Sequence, residues 1–224
     1  MYIGHCAIAL GSKKIAPEVS LGTLFFAAVM SDLLMSLLLL LGIEHIRISP
    51  GFTVMIPLDL YDYPISHSLA TSIMWSIVFA GLFYFIKHSI RNAIVIGSVV
   101  FSHWMLDFIT HTTDLPLFPE SSIKVGLGIW NNAVLSVLVE GLLFVVGLFI
   151  YLRTTKSKDK TGIIAFWLVM IFLFITWIMT MFGTPPPNIV ALAIVNQLQW
   201  VVIILAFWID RHREILHADQ EGLP

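Results

Sequence analysis

Six long apolar stretches constrain this chain more than any other feature. A helix that crosses a membrane needs about 20 mainly apolar residues. The stretches that meet or nearly meet this length are Leu21–Ile43, His67–Ile86, Ala93–His111, Trp130–Leu152, Ile163–Phe182 and Ile189–Ile209. Only 12% of the residues are charged, whereas a soluble domain typically has about 25%. The sequence therefore predicts an all-α, polytopic membrane bundle of about six transmembrane helices, in one domain over 1–224.

Positive charges are distributed unequally between the two ends of these spans. Ten of the 12 lysines and arginines flank alternate ends, namely Lys13, Lys14, Lys87, Arg91, Arg153, Lys156, Lys158, Lys160, Arg211 and Arg213. The opposite ends have only Arg47 and Lys124. Because such residues are enriched on the cytoplasmic side, we expect a multi-pass protein of the cell's inner membrane with both termini in the cytoplasm. The loops 44–66, 112–127 and 183–188 would then face outward.

The first twelve residues are apolar but too short to span. They predict either a half-helix that dips in from the cytoplasmic side or a segment lying on the surface. In the first case His5, eight residues before Lys13, would be lifted by about 12 Å, to near mid-membrane.

Three carboxylates lie inside the apolar spans: Asp32, Asp107 and Glu140. A carboxylate at mid-bilayer costs about 2.5–3.5 kcal/mol on insertion scales, and no lysine or arginine lies within a span to compensate it. The carboxylates are therefore either protonated or compensated by histidines and a bound cation. Neutral histidines with carboxylates suit a divalent metal. Cys6 is the only cysteine, which excludes disulfides within the chain and a thiolate cage.

His103, Asp107 and His111 form a stripe along one helix face, because they are spaced at i, i+4 and i+8. An ideal helix would separate the two histidines by about 12 Å, too far for both to bind one ion directly. The stripe predicts two metals, or one metal with a further supporting or catalytic histidine.

Depth along the spans predicts that these polar residues share a pocket. Asp32, His103 and Glu140 each lie about twelve residues, or roughly 18 Å, from a span end, and Asp107, His111 and His67 lie nearer the outer face. His67 has an alternative interpretation as a neighbour of a capping Ser66. Asp114, in the second outer loop, is expected to be solvated or to rim the pocket.

The last two spans, over 163–209, contain no ionisable residue. Their polar side chains favour hydrogen bonding between helices: Thr176, Thr180, Asn196, Gln197 and Gln199. This C-terminal hairpin is predicted to be a packing scaffold, whereas residues 1–152 carry the metal-site helices.

The ordered polar set resembles that of the membrane-bound, predicted metal-dependent hydrolases. The residues that carry the resemblance are His5, Asp32, Ser66-His67-Ser68, Ser102-His103-x3-Asp107, His111 and Glu140, with the segment 126–131 before the last. The same order is similar to the ligands of the all-α zinc-dependent phospholipase C fold. The resemblance covers roughly residues 1–145 and implies metal ligation by His5, Asp32, His67, His103, Asp107, His111 and Glu140.

Two departures from these families refine the expectation. The run before Ser66 contains no arginine to grip a phosphate, and Ser136 stands where the phospholipase pattern has a histidine, four residues before its glutamate. One or two ions are therefore expected rather than three, with zinc preferred over manganese or iron.

The expected activity is hydrolysis of an ester or phosphoester of a lipid or amphipathic substrate that arrives from the outer side. Asp32, Asp107 and Glu140 are the candidate catalytic residues, with Asp32 as general base if it is not a ligand. The alternatives are a transporter or metal-ion carrier that uses the same ligands, and a non-enzymatic membrane scaffold. The net charge of −2 without a basic cluster excludes a nucleic-acid partner.

Overall fold

The computed structural model describes residues 1–216 and is built mainly from helices. In chain order they are α1 (Ile3–Ser12), α2 (Leu21–Leu40), α3 (Pro64–His67), α4 (Leu69–Lys87), α5 (Ile90–Thr110), α6 (Ala133–Thr154), α7 (Lys160–Phe182), α8 (Ile189–Gln197) and α9 (Gln199–Arg211). Within these residues, six helical stretches are long and apolar enough to cross a membrane. The predicted all-α bundle of about six spans with a short N-terminal helix is confirmed.

Small polar side chains define where the long helices begin. The capping residues are Ser20, Ser68, Ser89, Asn132, Asp159 and Asn188, and each accepts a hydrogen bond from the backbone N–H three positions later. Such caps satisfy N–H groups that have no partner inside the helix. The cap at Ser68 also corrects the predicted span His67–Ile86: α4 begins at Leu69, and His67 belongs to the separate helix α3.

Helices α2 and α5 form the centre of the bundle, with 61% of their span residues buried, against 11% for the peripheral α4. The short helix α1 packs against α6, α2 and α5. Gly147 of α6 makes this approach possible, because a Cβ atom there would overlap the backbone of Ala7. Helix α1 is therefore the half-helix inserted among the spans, and the surface-lying alternative is wrong.

The stretch predicted as a single last span, Ile189–Ile209, is divided into α8 and α9 by a turn at Leu198. The N–H of Leu198 donates to the carbonyl of Val195, three residues back, so the regular i→i−4 pattern is interrupted. Gln197 fixes this break against α2, because its amide donates to the carbonyl of Leu33 at 2.9 Å. The predicted hydrogen bonding between helices is confirmed for Gln197.

Short antiparallel strand pairs close several of the connections between the helices. They are β1 (His45–Ile48) with β2 (Leu58–Asp62), β3 (Leu115–Pro116) with β4 (Lys124–Val125), and β5 (Thr155–Ser157) with β6 (Arg213–Ile215). In the first pair Arg47 lies opposite Asp59, and their side chains form an ion pair at 2.8 Å. The hairpin β1–β2 covers the end of the bundle at which the candidate ligands converge, since Leu58 and Leu60 line the same cavity as those ligands.

Candidate metal centre

Three helices bring four of the predicted ligands to one point. α5 presents His103 and Asp107 one turn apart, and their Nε2 and Oδ2 atoms lie 3.1 Å from each other. α2 contributes Asp32, and α3 contributes His67 from just before α4. The Asp107, His103 and His67 side chains are buried, whereas that of Asp32 is 21% exposed and faces the cavity described below.

The donor atoms of Asp32, His67 and His103 lie close enough together to hold one ion, and Asp107 lies against both of these histidines. The Nε2 atoms of His67 and His103 are 3.3 Å apart. Asp32 Oδ1 lies 3.7 Å from each of them, and Asp107 Oδ2 lies 3.7 Å from His67 Nε2. Ligands at zinc distances of about 2.0–2.1 Å in a tetrahedral arrangement would be about 3.3–3.4 Å apart. The residues present therefore fit a divalent metal.

The Nδ1 atom of His103 is already hydrogen-bonded, which leaves the Nε2 atom available to a metal. His103 Nδ1 lies 2.8 Å from the carbonyl oxygen of Ala28. A carbonyl can only accept, so Nδ1 carries a proton, and in the neutral ring Nε2 then has the lone pair that a metal would bind. Metal-ligating histidines are oriented by contacts of this kind.

Ser66 and Glu44 orient the His67 ring in the same way, by engaging its Nδ1 atom. The Ser66 hydroxyl donates to Glu44 Oε2 at 2.6 Å and lies 2.7 Å from His67 Nδ1. Because the only proton of the hydroxyl goes to Glu44, His67 Nδ1 donates to Ser66 and Nε2 is left with its lone pair. Glu44 is in turn held by the backbone N–H groups of Ile65 and Ser66, each at 2.8 Å.

Sequence reasoning did not single out Glu44. It follows α2 as an isolated acid, 22 residues before its partner Ser66, and no local spacing links the two. The signal available was the Ser-His-Ser triplet itself, since a serine beside a ligating histidine calls for an acceptor of its own. Ser68 of the triplet has the separate role of capping α4.

The second oxygen of Asp107 faces a different group of donors. Asp107 Oδ1 lies 3.2 Å from His5 Nε2 and 3.7 Å from His111 Nε2, and the amino group of Met1 lies 2.7 Å from it. The His5 ring stacks on His103 with centroids 3.7 Å apart. Both ring nitrogens of His5 are buried without a hydrogen-bonding partner in the described part of the chain, as expected for a side chain that awaits a ligand.

Helix α5 ends one residue before His111, the last residue of the predicted stripe. The helix ends at Thr110, and His111 has an extended backbone, so its ring turns back toward Asp107. His111 Nδ1 contacts Asp114 Oδ1 at 3.0 Å, and the hydroxyl of Tyr63 donates to the same oxygen at 3.2 Å. The expectation that Asp114 is solvated is therefore wrong: it is buried and orients His111.

Glu140 is buried near the same cluster, but its carboxylate has another partner. Glu140 Oε2 accepts the backbone N–H of Tyr2 at 3.0 Å. The side chain also lines the cavity shared with Asp32 and Asp107. Glu140 thus holds α1 in place beside the centre, while the converging donors come from His5, Asp32, His67, His103 and Asp107.

A cavity of about 240 Å³ opens beside these residues. Asp32, His67, Asp107, His111 and Glu140 form its polar wall. Apolar residues of β2, α7, α8 and α9 form most of the remainder, including Leu60, Phe172, Trp177, Met181, Leu192 and Val202. No lysine or arginine is among the described residues that line it. The C-terminal hairpin therefore lines the cavity in addition to packing against α2.

Comparisons with known proteins found no relative of this chain. No family model matches the chain, and neither does any curated protein or solved structure.

Proposed function

We propose that this protein is a membrane-embedded, metal-dependent hydrolase of an ester or phosphoester in a lipid-like substrate. The observation that carries the proposal is the pair of Nε2 atoms of His67 and His103, 3.3 Å apart between two carboxylates. Buried carboxylates are costly unless they are paired, and a cation between these groups would compensate them. The adjoining cavity, polar on one side and apolar on the other, is of the type that binds small amphipathic ligands.

The proposed ligands of the first ion are Asp32, His67, His103 and Asp107. Bound there, a divalent metal would lower the pKa of a coordinated water to about 7 and polarise an ester or phosphoryl oxygen. Zinc is the proposed metal because its usual ligands are histidine and carboxylate, and manganese or iron is the alternative. His5, His103 and Asp107 form a second candidate group of ligands, which is why one or two ions are proposed.

The position of each remaining residue indicates its role in the proposed reaction. Asp32 is the more exposed of the two central carboxylates and faces the cavity, so it is the proposed general base wherever it does not bind the ion. Asp107 is enclosed and serves as a ligand. Glu140 positions α1, and the apolar side chains of α7 and α9 would exclude bulk water from the reacting ester.

The resemblance to membrane-bound, predicted metal-dependent hydrolases remains part of this proposal. In its favour, five of the residues on which it rests come from separate places along the chain into two groups that share His103, namely His5, Asp32, His67, His103 and Asp107. The distribution of lysine and arginine further supports an orientation with both termini in the cytoplasm and the cavity open toward the outer side.

The experiment that tests the proposal combines metal analysis with turnover. The protein, purified in detergent without chelator, should contain close to one or two equivalents of metal, and zinc-loaded protein should hydrolyse a panel of fluorogenic ester and phosphoester lipids. Asp107→Asn should abolish both the metal content and the turnover. Wild-type protein that contains no metal, and takes up none, would overturn the proposal.

A transporter that uses the same ligands is the principal alternative. The buried face of α1 between His5 and Lys13 is apolar, and Lys13 closes that end with an ion pair to Asp210 at 2.8 Å. Within the described residues, the polar cluster is thus separated from the lysine-rich end. This arrangement favours a site that is reached from one side of the bundle only. Uptake of zinc into sealed vesicles that contain the protein would favour the transporter instead.

A further inference from the structure

The break between α8 and α9 places two carboxamides in the wall of the cavity. Asn196 and Gln199 flank it, and both line the same cavity as Asp32 and Asp107. Irregular backbone at membrane depth is tolerated only where it is buried in protein or lines a cavity. The break therefore coincides with the place where a ligand could use the exposed polar groups.

The hydrogen-bonding state of these carboxamides differs from that of their neighbours. Gln197 donates to Leu33 at 2.9 Å and accepts from Trp200 at 3.0 Å. Thr176 and Thr180, which also line the cavity, donate to carbonyls of their own helix. In the described part of the chain, the Asn196 and Gln199 side chains have no such partner, although Gln199 is only 8% exposed. Both carboxamides are therefore free to form hydrogen bonds with a ligand in the cavity.

The position of the break relative to the metal centre is fixed by Gln197. Its bond to the carbonyl of Leu33 attaches the end of α8 to the residue that follows Asp32. A substrate held at Asn196 and Gln199 would therefore lie at the level of Asp32, with its reactive group within the cavity.

We propose that Asn196 and Gln199 form a subsite for an uncharged, hydroxyl-bearing head group of a lipid substrate. A carboxamide supplies both donors and an acceptor, which matches a hydroxyl group. No lysine or arginine lines the cavity among the described residues, so neither carboxamide has a cationic neighbour of this kind to pair with a charged head group. This inference rests on the proposed function, since it names the substrate that the metal centre would process.

Ether lipids, which an esterase cannot hydrolyse, separate binding from turnover. Equilibrium binding to the full chain in detergent is measured for oleyl glyceryl ether and for oleyl propyl ether, which lacks both hydroxyls. Wild type should bind the glyceryl ether at least about tenfold more tightly, because a site built for hydroxyl groups discriminates against analogues without them. The double variant Asn196→Leu/Gln199→Leu should lose this preference and keep its metal.

Two matched variants control for structural effects. Thr180→Val lies in the same cavity, but its hydroxyl is used within α7, so the preference should persist. Gln199→Met retains the side-chain length and should weaken the preference on its own if the double variant does not fold. Equal binding of the two ethers by wild type, or an unchanged preference in the double variant, would overturn the subsite. Failure of the proposed function would instead appear as absent metal or absent turnover.

Discussion

The Nε2 atoms of His67 and His103 face each other at 3.3 Å, while the Nδ1 atom of each ring is bonded to an oxygen. In the neutral rings both Nε2 atoms have a lone pair, and the carboxylates of Asp32 and Asp107 add negative charge at 3.1–3.7 Å. A cation among these atoms would be attracted by each of them. Metal binding should therefore contribute to the stability of the bundle as well as to chemistry.

Removal of the metal should lower the melting temperature of the protein. A ligand present at about 100 times its dissociation constant stabilises the folded state by about 2.7 kcal/mol. For a chain of this size that corresponds to a shift of about 5–10 °C. Thermal unfolding in detergent, before and after dialysis against a chelator, measures the shift. Added zinc should restore the original value, and identical melting curves for the two samples would contradict the prediction.

Substitution of one central histidine should release the metal without unfolding the bundle. We expect His103→Ala to lose most of the bound metal, because it removes a donor that both candidate groups of ligands share. Elemental analysis gives the content, and circular dichroism reports the helices. His45→Ala is the matched control, since His45 lies on β1 and is about half exposed, with a side-chain exposure of 48%. Retention of full metal content by His103→Ala would exclude the proposed ligand set.

Glu44 should act on metal affinity at a distance, through Ser66. In Glu44→Gln an amide group can face the Ser66 hydroxyl, which would then turn its proton toward His67 and favour the wrong tautomer. Loss of such supporting partners typically costs about 10–100-fold in metal affinity. Competition with a chromogenic chelator measures the change. Asp59→Asn, an acid on β2 paired with the exposed Arg47, should leave the affinity unchanged, and an equal affinity for Glu44→Gln would refute the role.

Two glycine substitutions should have opposite effects on stability. In Gly147→Ala the added methyl group overlaps the backbone of Ala7, and such overpacking costs about 1–3 kcal/mol. In Gly81→Ala the methyl group meets open space, and alanine is favoured over glycine inside a helix by roughly 0.5–1 kcal/mol. Unfolding titrations in mixed micelles compare the two. A neutral Gly147→Ala would show that α1 is not held closely against α6.

The sequence predicts the spans and most of the site because lipid restricts both. Long apolar helices leave few alternatives for the fold, and each of Asp32, Asp107 and Glu140 is too costly inside a span to be incidental. The i, i+4 spacing of His103 and Asp107 is local, so it survives in the structure with its donor atoms 3.1 Å apart.

Features that depend on distant contacts could not be predicted in this way. The bond between Glu44 and Ser66 joins the segment after α2 to α3, and Asp114 is buried only because His111 leaves the helix. The break at Leu198 has no proline or glycine to announce it. It is defined by the contact of Gln197 with α2 and by the cavity beside it.

The docking of α1 beside Gly147 has a consequence for the order of biosynthesis. Helix α1 is too short to insert by itself, and the α6 surface that receives it is translated much later. His5 would thus wait at the membrane surface while α2 to α5 are inserted, and would join His103 and Asp107 only once α6 is in place. A chain arrested before α6 would thus contain the proposed ligands of the first ion, while the group that includes His5 would be completed only with α6.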